Sequence, residues 1–319
     1  MKNVAKLLVP ALLATAFGTS CAADWGNTKW DPGSQAPIGA HANLPKAFLG
    51  ATTVMVGAGD IAFESTGAEA TAKLLDTIPG TVFALGDNAY QTGSPAEFAK
   101  FYEPTWGRHK ARTRPAVGNH EYRTPGAAGY YNYFGAAAGD RTKGYYAYDV
   151  SPDWHVVVIN SATTGDDASK NLGPTSEQYR WLEQDLDAHK QQNVVSMWHH
   201  PRFSSGVHGD NVDTDAIWRL LDAKGVDIAL WGHDHHYERF YPIDGLGQRN
   251  DTNGIQSFVV GTGGRSHYAF IKPAKSMTAV RNAKTFGVLK LTLAKEGYEW
   301  EFVPEAGESF VDSGRAPVR

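Results

Sequence analysis

Five stretches of this chain are unbroken runs of apolar, β-prone residues: Thr53-Val54-Met55-Val56, Val82-Phe83-Ala84-Leu85, Val156-Val157-Val158-Ile159, Val194-Val195-Ser196-Met197-Trp198 and Ile228-Ala229-Leu230-Trp231. A run without alternation leaves no polar face for solvent, so each reads as a strand covered on both sides. Helical patterns lie between them. Ala68 to Ile78 follows Ser65 and Thr66 as caps, and Ser176 to His189 opens on a capping signal and spaces Tyr179, Leu182 and Leu186 along one face. Asp213 to Lys224 carries Ile217, Leu220 and Leu221 and stops at Gly225. After Ile255 the helical signals fade. Phe258-Val259-Val260, Val288 to Leu293 and Tyr298 to Val303 read as strands, the last two as a hairpin around Lys295-Glu296-Gly297. Alternating strands and helices imply an α/β domain with a buried sheet, and the strand-rich tail implies a second sheet packed on the first. Neither an internal repeat nor a low-complexity linker divides the 319 residues. A single domain over residues 51–319 is therefore expected, preceded by an extended Gly/Pro/Asn/Ala-rich segment over 23–50.

Four of the five runs end in polar residues of metal-ligand type. The first runs into Gly59-Asp60, and the second into Gly86-Asp87-Asn88-Ala89-Tyr90. The fourth runs into His199-His200-Pro201, and the fifth into Gly232-His233-Asp234-His235-His236. Gly118-Asn119-His120-Glu121 lies in a loop between them. Ligands of open α/β sheets bind at the carboxyl ends of strands, so these loops are expected to meet despite their separation in sequence. Aspartate is a hard anionic ligand able to bridge two cations, imidazole suits zinc and iron, and an asparagine carbonyl adds a neutral oxygen. Two cations about 3.5–4 Å apart can clamp a phosphate oxygen and acidify a water. Tyr90 is an unusual ligand type: a phenol of pKa about 10 favours a strongly Lewis-acidic ion such as ferric iron.

These blocks, in this order from residue 54 to about 240, resemble the calcineurin-like metallophosphoesterases, and within them the purple acid phosphatases. The resemblance implies an α/β fold, a two-sheet sandwich flanked by helices (αββα). It implies that Asp60, Tyr90 and His235 hold a first metal and Asn119, His199 and His233 a second, with Asp87 bridging the two. His120 and His208 would bind substrate phosphate, one of them protonating the leaving group, and the nucleophile would be a metal-bound or bridging hydroxide. The first metal would be Fe(III), the second Fe, Zn or Mn. The implied activity is hydrolysis of phosphate monoesters, with small phosphorylated molecules as substrates. Two alternatives remain open: a phosphodiesterase acting on nucleotides or lipid head groups, and an exported metal-binding or surface-interaction protein without turnover. One position departs from the wider family. Many metallophosphoesterases place a histidine two residues after the first aspartate. The purple group usually has glycine there and recruits the tyrosine. Here the residue is Ala62, so Tyr90 is needed as a ligand.

Other polar residues have plainer readings. His200 is expected beside the ligands and His236 packed against its neighbours. Arg202 could reach phosphate or face solvent. Arg108, Lys110, Arg112 and Arg114 form either a solvated face or a rim that guides anions. Gly261-Thr262-Gly263-Gly264 lacks the Lys-Ser/Thr of a nucleotide loop and reads as a tight turn bordering the cleft. The net charge of −4 carries no nucleic-acid footprint. Residues 1–22 have the form of an export signal: Lys2 and Lys6, the apolar Leu7 to Phe17, then small residues at Ser20-Cys21-Ala22. A periplasmic or secreted protein is expected, or a lipoprotein anchored through Cys21, the one cysteine. No later segment is apolar enough to span a membrane, and the oligomeric state is not legible.

Overall fold

The computed structural model describes residues 48, 50–64, 67–162 and 172–319. The export signal, most of the extended segment and the caps expected at Ser65 and Thr66 lie outside them. All five apolar runs are strands: β1 (Thr53–Ala58), β2 (Thr81–Leu85), β5 (Trp154–Val158), β6 (Asn193–Trp198) and β7 (Ile228–Trp231). Between them come β3 (Thr113–Ala116) and β4 (Tyr146–Ser151). After them come β8 (Tyr237–Phe240), β9 (Gln256–Val260), β10 (Thr278–Asn282), β11 (Gly287–Ala294), β12 (Gly297–Pro304) and β13 (Asp312–Pro317). The α-helices are α1 (Gly67–Thr77), the single turn α2 (Pro95–Glu97), α3 (Ala128–Phe134), α4 (Glu177–Ala188) and α5 (Asp215–Ala223).

Two mixed sheets result. One has six strands in the order β13-β12-β11-β1-β2-β3, and the other has seven in the order β10-β8-β9-β7-β6-β5-β4. The tail does not make a sheet of its own, which corrects the expectation from its composition. The hairpin of β11 and β12 adds antiparallel to β1, extending the first sheet, while β8, β9 and β10 extend the second. Each sheet thus joins a parallel core from the α/β part to antiparallel strands from the tail.

The apolar runs are buried on both faces, as their lack of alternation requires. In the second sheet, Val156, Val158, Val195, Met197, Ile228 and Leu230 face the core shared with Met55, Val56 and Phe83 of the first. Their chain neighbours Val157, Val194, Trp198, Ala229 and Trp231 face a second core with Leu182 and Leu186 of α4 and Ile217, Trp218 and Leu221 of α5. The period of two assigns each residue to a layer. Every fully buried Leu, Ile or Val in these layers contributes about 1.5–3 kcal/mol of transfer free energy. Ser176 caps α4 by accepting from the Tyr179 N–H at 3.1 Å. The helix expected from Asp213 begins two residues later, after a 3-10 turn at Val212–Thr214. Gly225 ends that region at φ +75°, a left-handed conformation that glycine takes without strain.

Candidate metal centre

The ligand-type residues sit at the carboxyl ends of β1, β2, β6 and β7, where the two sheets meet. Contacts across that seam are close. The Gly59 N–H donates to the Val260 carbonyl at 2.8 Å, and His199 Nδ1 donates to the Leu85 carbonyl at 2.8 Å. The glycines before the ligands permit this approach. A Cβ on Gly86 would lie 2.6 Å from His199 Nδ1, and one on Gly118 would lie 2.2 Å from Asp87 Oδ1. Three residues turn sharply out of their strands: Asp60, Asp87 and His233 have φ of +59°, +51° and +71°. For a non-glycine residue this costs on the order of 1 kcal/mol each, and such strain concentrates at functional sites.

Two groups of metal-ligand-type atoms form, and they share Asp87. In the first, the Tyr90 hydroxyl lies 2.8 Å from Asp60 Oδ1, 2.9 Å from Asp87 Oδ2 and 3.2 Å from His235 Nε2. In the second, His199 Nε2 lies 3.1 Å from Asn119 Oδ1, 3.2 Å from His233 Nδ1 and 3.3 Å from Asp87 Oδ1. Because His199 Nδ1 donates to the Leu85 carbonyl, Nε2 is the nitrogen that would offer a lone pair once a cation displaced its proton. Atoms of metal-ligand type thus converge at short range in a set that could hold a cation. The electrostatics agree. Burial opposes a charged His199 ring, but the carboxylates of Asp87 and Asp60 outweigh it and push the ring up to about 9, so positive charge is favoured here. Burial, with Asp60 and Asp87 beside it, drives the Tyr90 phenol well above its ordinary value. Only a strong cation at that oxygen would favour the phenolate. Burial and the neighbouring rings of His200, His199 and His208 hold His233 well below the usual range, hence neutral and able to ligate.

The other expected residues line the cleft above. His120 donates its backbone N–H to Asp87 Oδ1 at 2.9 Å, its Nδ1 bonds the Gln91 carbonyl at 2.6 Å, and its Nε2 faces Asp87 Oδ2 at 3.7 Å. His208 packs its ring 4.3 Å from that of His233. Both border a cleft of about 620 Å³ that also exposes Asp87, Asn119, His233 and His235. His200 lies beside the ligands, its Nδ1 2.9 Å from Ser161 Oγ. Burial and His199 push it down to about 3, so it stays neutral. Its ring nitrogens come close enough to those of His199 and His233 to complete a three-histidine group. His236 is fully buried against Glu238. Ala62 leaves room for a backbone ladder: its N–H donates to the Asn88 carbonyl, and its own carbonyl accepts from the Tyr90 N–H at 2.9 Å. The loop that carries Tyr90 is thereby tied to the loop that carries Asp60.

The basic run does not border the cleft. Arg108 pairs with Glu69 and Asp76, Arg112 caps the Gly80 and Leu75 carbonyls, Lys110 sits over Tyr133 and Arg114 over Tyr148. Arg202 is held by Asp215. Sequence reasoning missed three supports. Glu121 lies wholly buried and accepts from the N–H groups of Asp87, Asn88, Ala89 and Gly118, fixing the Asp87 turn. Asp234 accepts from the His208 N–H and from Ser204 Oγ, tying the His208 loop to the His233 turn. Residues after the glycine turn close the other side: Ser266 bonds His235 Nδ1, Tyr268 stacks on the His235 ring at 4.0 Å, and Arg265 lies 5.1 Å above the Tyr90 ring. The adjacent acid in Gly118-Asn119-His120-Glu121 was the available signal for Glu121. For the others only the turn-forming glycines pointed to the cleft.

Comparison with known proteins bears on the same residues. The family model for calcineurin-like phosphoesterase matches residues 55–237. An acid phosphatase of Aspergillus ficuum is 34% identical over 149 residues, which is 40% of this chain and 24% of that protein. Purple acid phosphatase 21 of Arabidopsis thaliana is 31% identical over 153 residues, 45% of this chain and 32% of that one. The chain thus spans a third or less of the length of these curated relatives. The purple acid phosphatase PPD1 from yellow lupin (Lupinus luteus) seeds superposes with a TM-score of 0.67 at 22% identity, covering 83% of this chain and 53% of that one. This is a likeness of fold. With the matched segment spanning more than half its residues and both groups of converging ligand-type side chains, the chain belongs to the calcineurin-like phosphoesterase family.

Proposed function

We propose that this protein hydrolyses phosphate monoesters with two metal ions. Asp60, Tyr90 and His235 would hold the first and Asn119, His199 and His233 the second, with Asp87 shared between them. The observation that carries the reading is the pair of ligand-type groups meeting at one aspartate, since two adjacent cations are what phosphate-ester cleavage at moderate pH calls for. Bound there, the ions would supply charge compensation at the phosphorus and acidify the attacking water. The donor chemistry favours ferric iron beside the Tyr90 phenol and iron, zinc or manganese beside the histidines and Asn119.

The remaining roles fall to residues of the cleft. His120 has its Nδ1 proton engaged by the Gln91 carbonyl. Its Nε2 therefore carries a proton only when the ring is an imidazolium, and in that form it can protonate a departing alkoxide. His208, held through Asp234, would face the phosphate from the opposite wall. Export by the signal at residues 1–22 belongs to the same reading, and N-terminal sequencing of the mature chain tests it.

The test combines elemental analysis, a visible spectrum and turnover of a monoester against a diester chromogenic substrate. Two metals per chain, a charge-transfer colour lost in Tyr90→Phe and faster monoester cleavage are expected. Metal-replete protein that cleaves neither ester ends the enzymatic reading. Faster diester cleavage moves it to the phosphodiesterase alternative.

A further inference from the structure

The cleft above the ligand groups is polarised. Glu121–Arg123 is a 3-10 turn that follows His120 directly, closed by a bond from the Arg123 N–H to the His120 carbonyl at 3.2 Å. Three residues per turn place Arg123 on the same side as His120, whose Nε2 faces Asp87. Arg123 is the one lysine or arginine that lines the cleft among the described residues. It is exposed, and its guanidinium has no hydrogen-bond or ion-pair partner among them. This sets it apart from its neighbours in charge: Arg108, Arg112 and Arg202 are all committed to acids or carbonyls elsewhere. Two acids line the same cleft near His208. Asp210 is neutralised by Lys275 at 3.0 Å, whereas the Asp213 carboxylate has no partner among the described residues. A free fork of N–H donors on the His120 wall and a free carboxylate near His208 are an odd pairing for a site that takes only the scissile phosphate.

We infer that Arg123 selects substrates whose leaving group carries a second anionic group, a carboxylate or another phosphate. The inference rests on the phosphomonoesterase reading. With the scissile phosphate over the two ligand groups, a second anion directed toward Arg123 gains a charge-assisted, bidentate contact, and one directed toward Asp213 meets like charge. The leaving group is thereby oriented as well as held. Because the guanidinium is open to solvent, the expected gain is modest, about two- to fivefold in affinity. It acts on binding, not on the chemical step.

The experiment uses the metal-loaded protein and a matched pair, 3-phosphoglycerate and glycerol 3-phosphate, with ADP as the phosphate-bearing arm. In the unaltered protein KM for 3-phosphoglycerate or ADP is expected to be about two- to fivefold below that for glycerol 3-phosphate. Arg123→Ala should raise those lower values to the glycerol 3-phosphate level, with kcat and the glycerol 3-phosphate KM within about twofold. Arg123→Lys should keep part of the preference. Equal KM values across the set in the unaltered protein overturn the inference, as does an Arg123→Ala variant that loses kcat equally on all three. Calorimetric titration with phosphonoacetate and ethylphosphonate reads the same preference without turnover. A chain that binds phosphonoacetate more tightly, and loses that in Arg123→Ala, keeps the Arg123 assignment even if it cleaves no ester and the phosphomonoesterase reading falls.

Discussion

Among the described residues, two places gather histidine and aspartate closely enough to hold an ion, and they differ in where the protons are. One is the centre around Asp87. The other lies between β4, β5 and α4, where Asp149, His155 and His189 offer ligand atoms within 4.8 Å of one another. There His155 Nδ1 donates to Asp149 Oδ1 at 2.7 Å and Nε2 donates to Asp185 Oδ2 at 2.8 Å. Both ring nitrogens face a carboxylate, which favours the imidazolium, a form with no lone pair left for a metal. The His189 ring stacks on it at 3.8 Å, and its own Nδ1 is spent on the Asp185 carbonyl. At Asp87 the arrangement is reversed. One His199 nitrogen is spent on the Leu85 backbone carbonyl instead of an acid, and the other meets Asn119 Oδ1, His233 Nδ1 and Asp87 Oδ1 together, so a cation that displaced its proton would find three further acceptors. Proximity of ligand-type residues is therefore a poor guide. A cation belongs where acceptors outnumber protons, and a clamp belongs where each nitrogen has its own acid.

The largest expected effect follows from Asp87, which touches both ligand groups. In Asp87→Asn we expect metal content to fall from two per chain to less than one, and monoester turnover to drop on the order of a thousandfold. His155→Gln should leave metal content at two. Elemental analysis of both variants checks the contrast. A metal lost with His155, or two retained without the Asp87 carboxylate, breaks it. Next in size is Glu121→Gln. The carboxylate receives four backbone N–H groups, two on each oxygen. An amide must turn its NH₂ toward two of those donors, so about 2 kcal/mol of stability should be lost. Metal affinity should weaken about 10- to 100-fold as the Asp87 turn loosens, read by chelator competition.

How much of this could be read from the chain depends on how local the cause is. The five apolar runs were legible because a strand buried on both faces must be apolar throughout. The polar residues at their ends were legible because strand ends are where such sheets bind. The strands that went unread have other reasons to exist. β3 contains Pro115 and follows a basic run. β8 reads Tyr-Glu-Arg-Phe, charged in sequence yet buried, because Glu238 accepts from Ser205 and Thr278 while Arg239 pairs with Asp312 far along the chain. β13 exists only as the partner of β12. Likewise the ligand types were visible at Asp60, Asp87 and His199. The supports Asp234, Ser266 and Tyr268 act through partners that no spacing rule connects.

The smallest effect tests the other half of the comparison by pH. Burial opposes charge on His155, but its bonds to Asp185 and Asp149 win, and its pKa is raised. A group whose folded pKa lies above its unfolded value of about 6.5 gives stability that is fully present below that pH. The contribution drains away as pH climbs through the folded value. Breaking a buried pair costs about 3–5 kcal/mol. Asp149 is 55% exposed, however, and an exposed partner adds little, so about 2 kcal/mol is the fairer expectation for His155→Gln. Urea unfolding at pH 5.5 and 8.5 should show that gap at the lower pH and a smaller one at the higher. A gap that widens with pH would mean the ring folds neutral. It would then have a lone pair to offer, and this cluster would become a rival for metal.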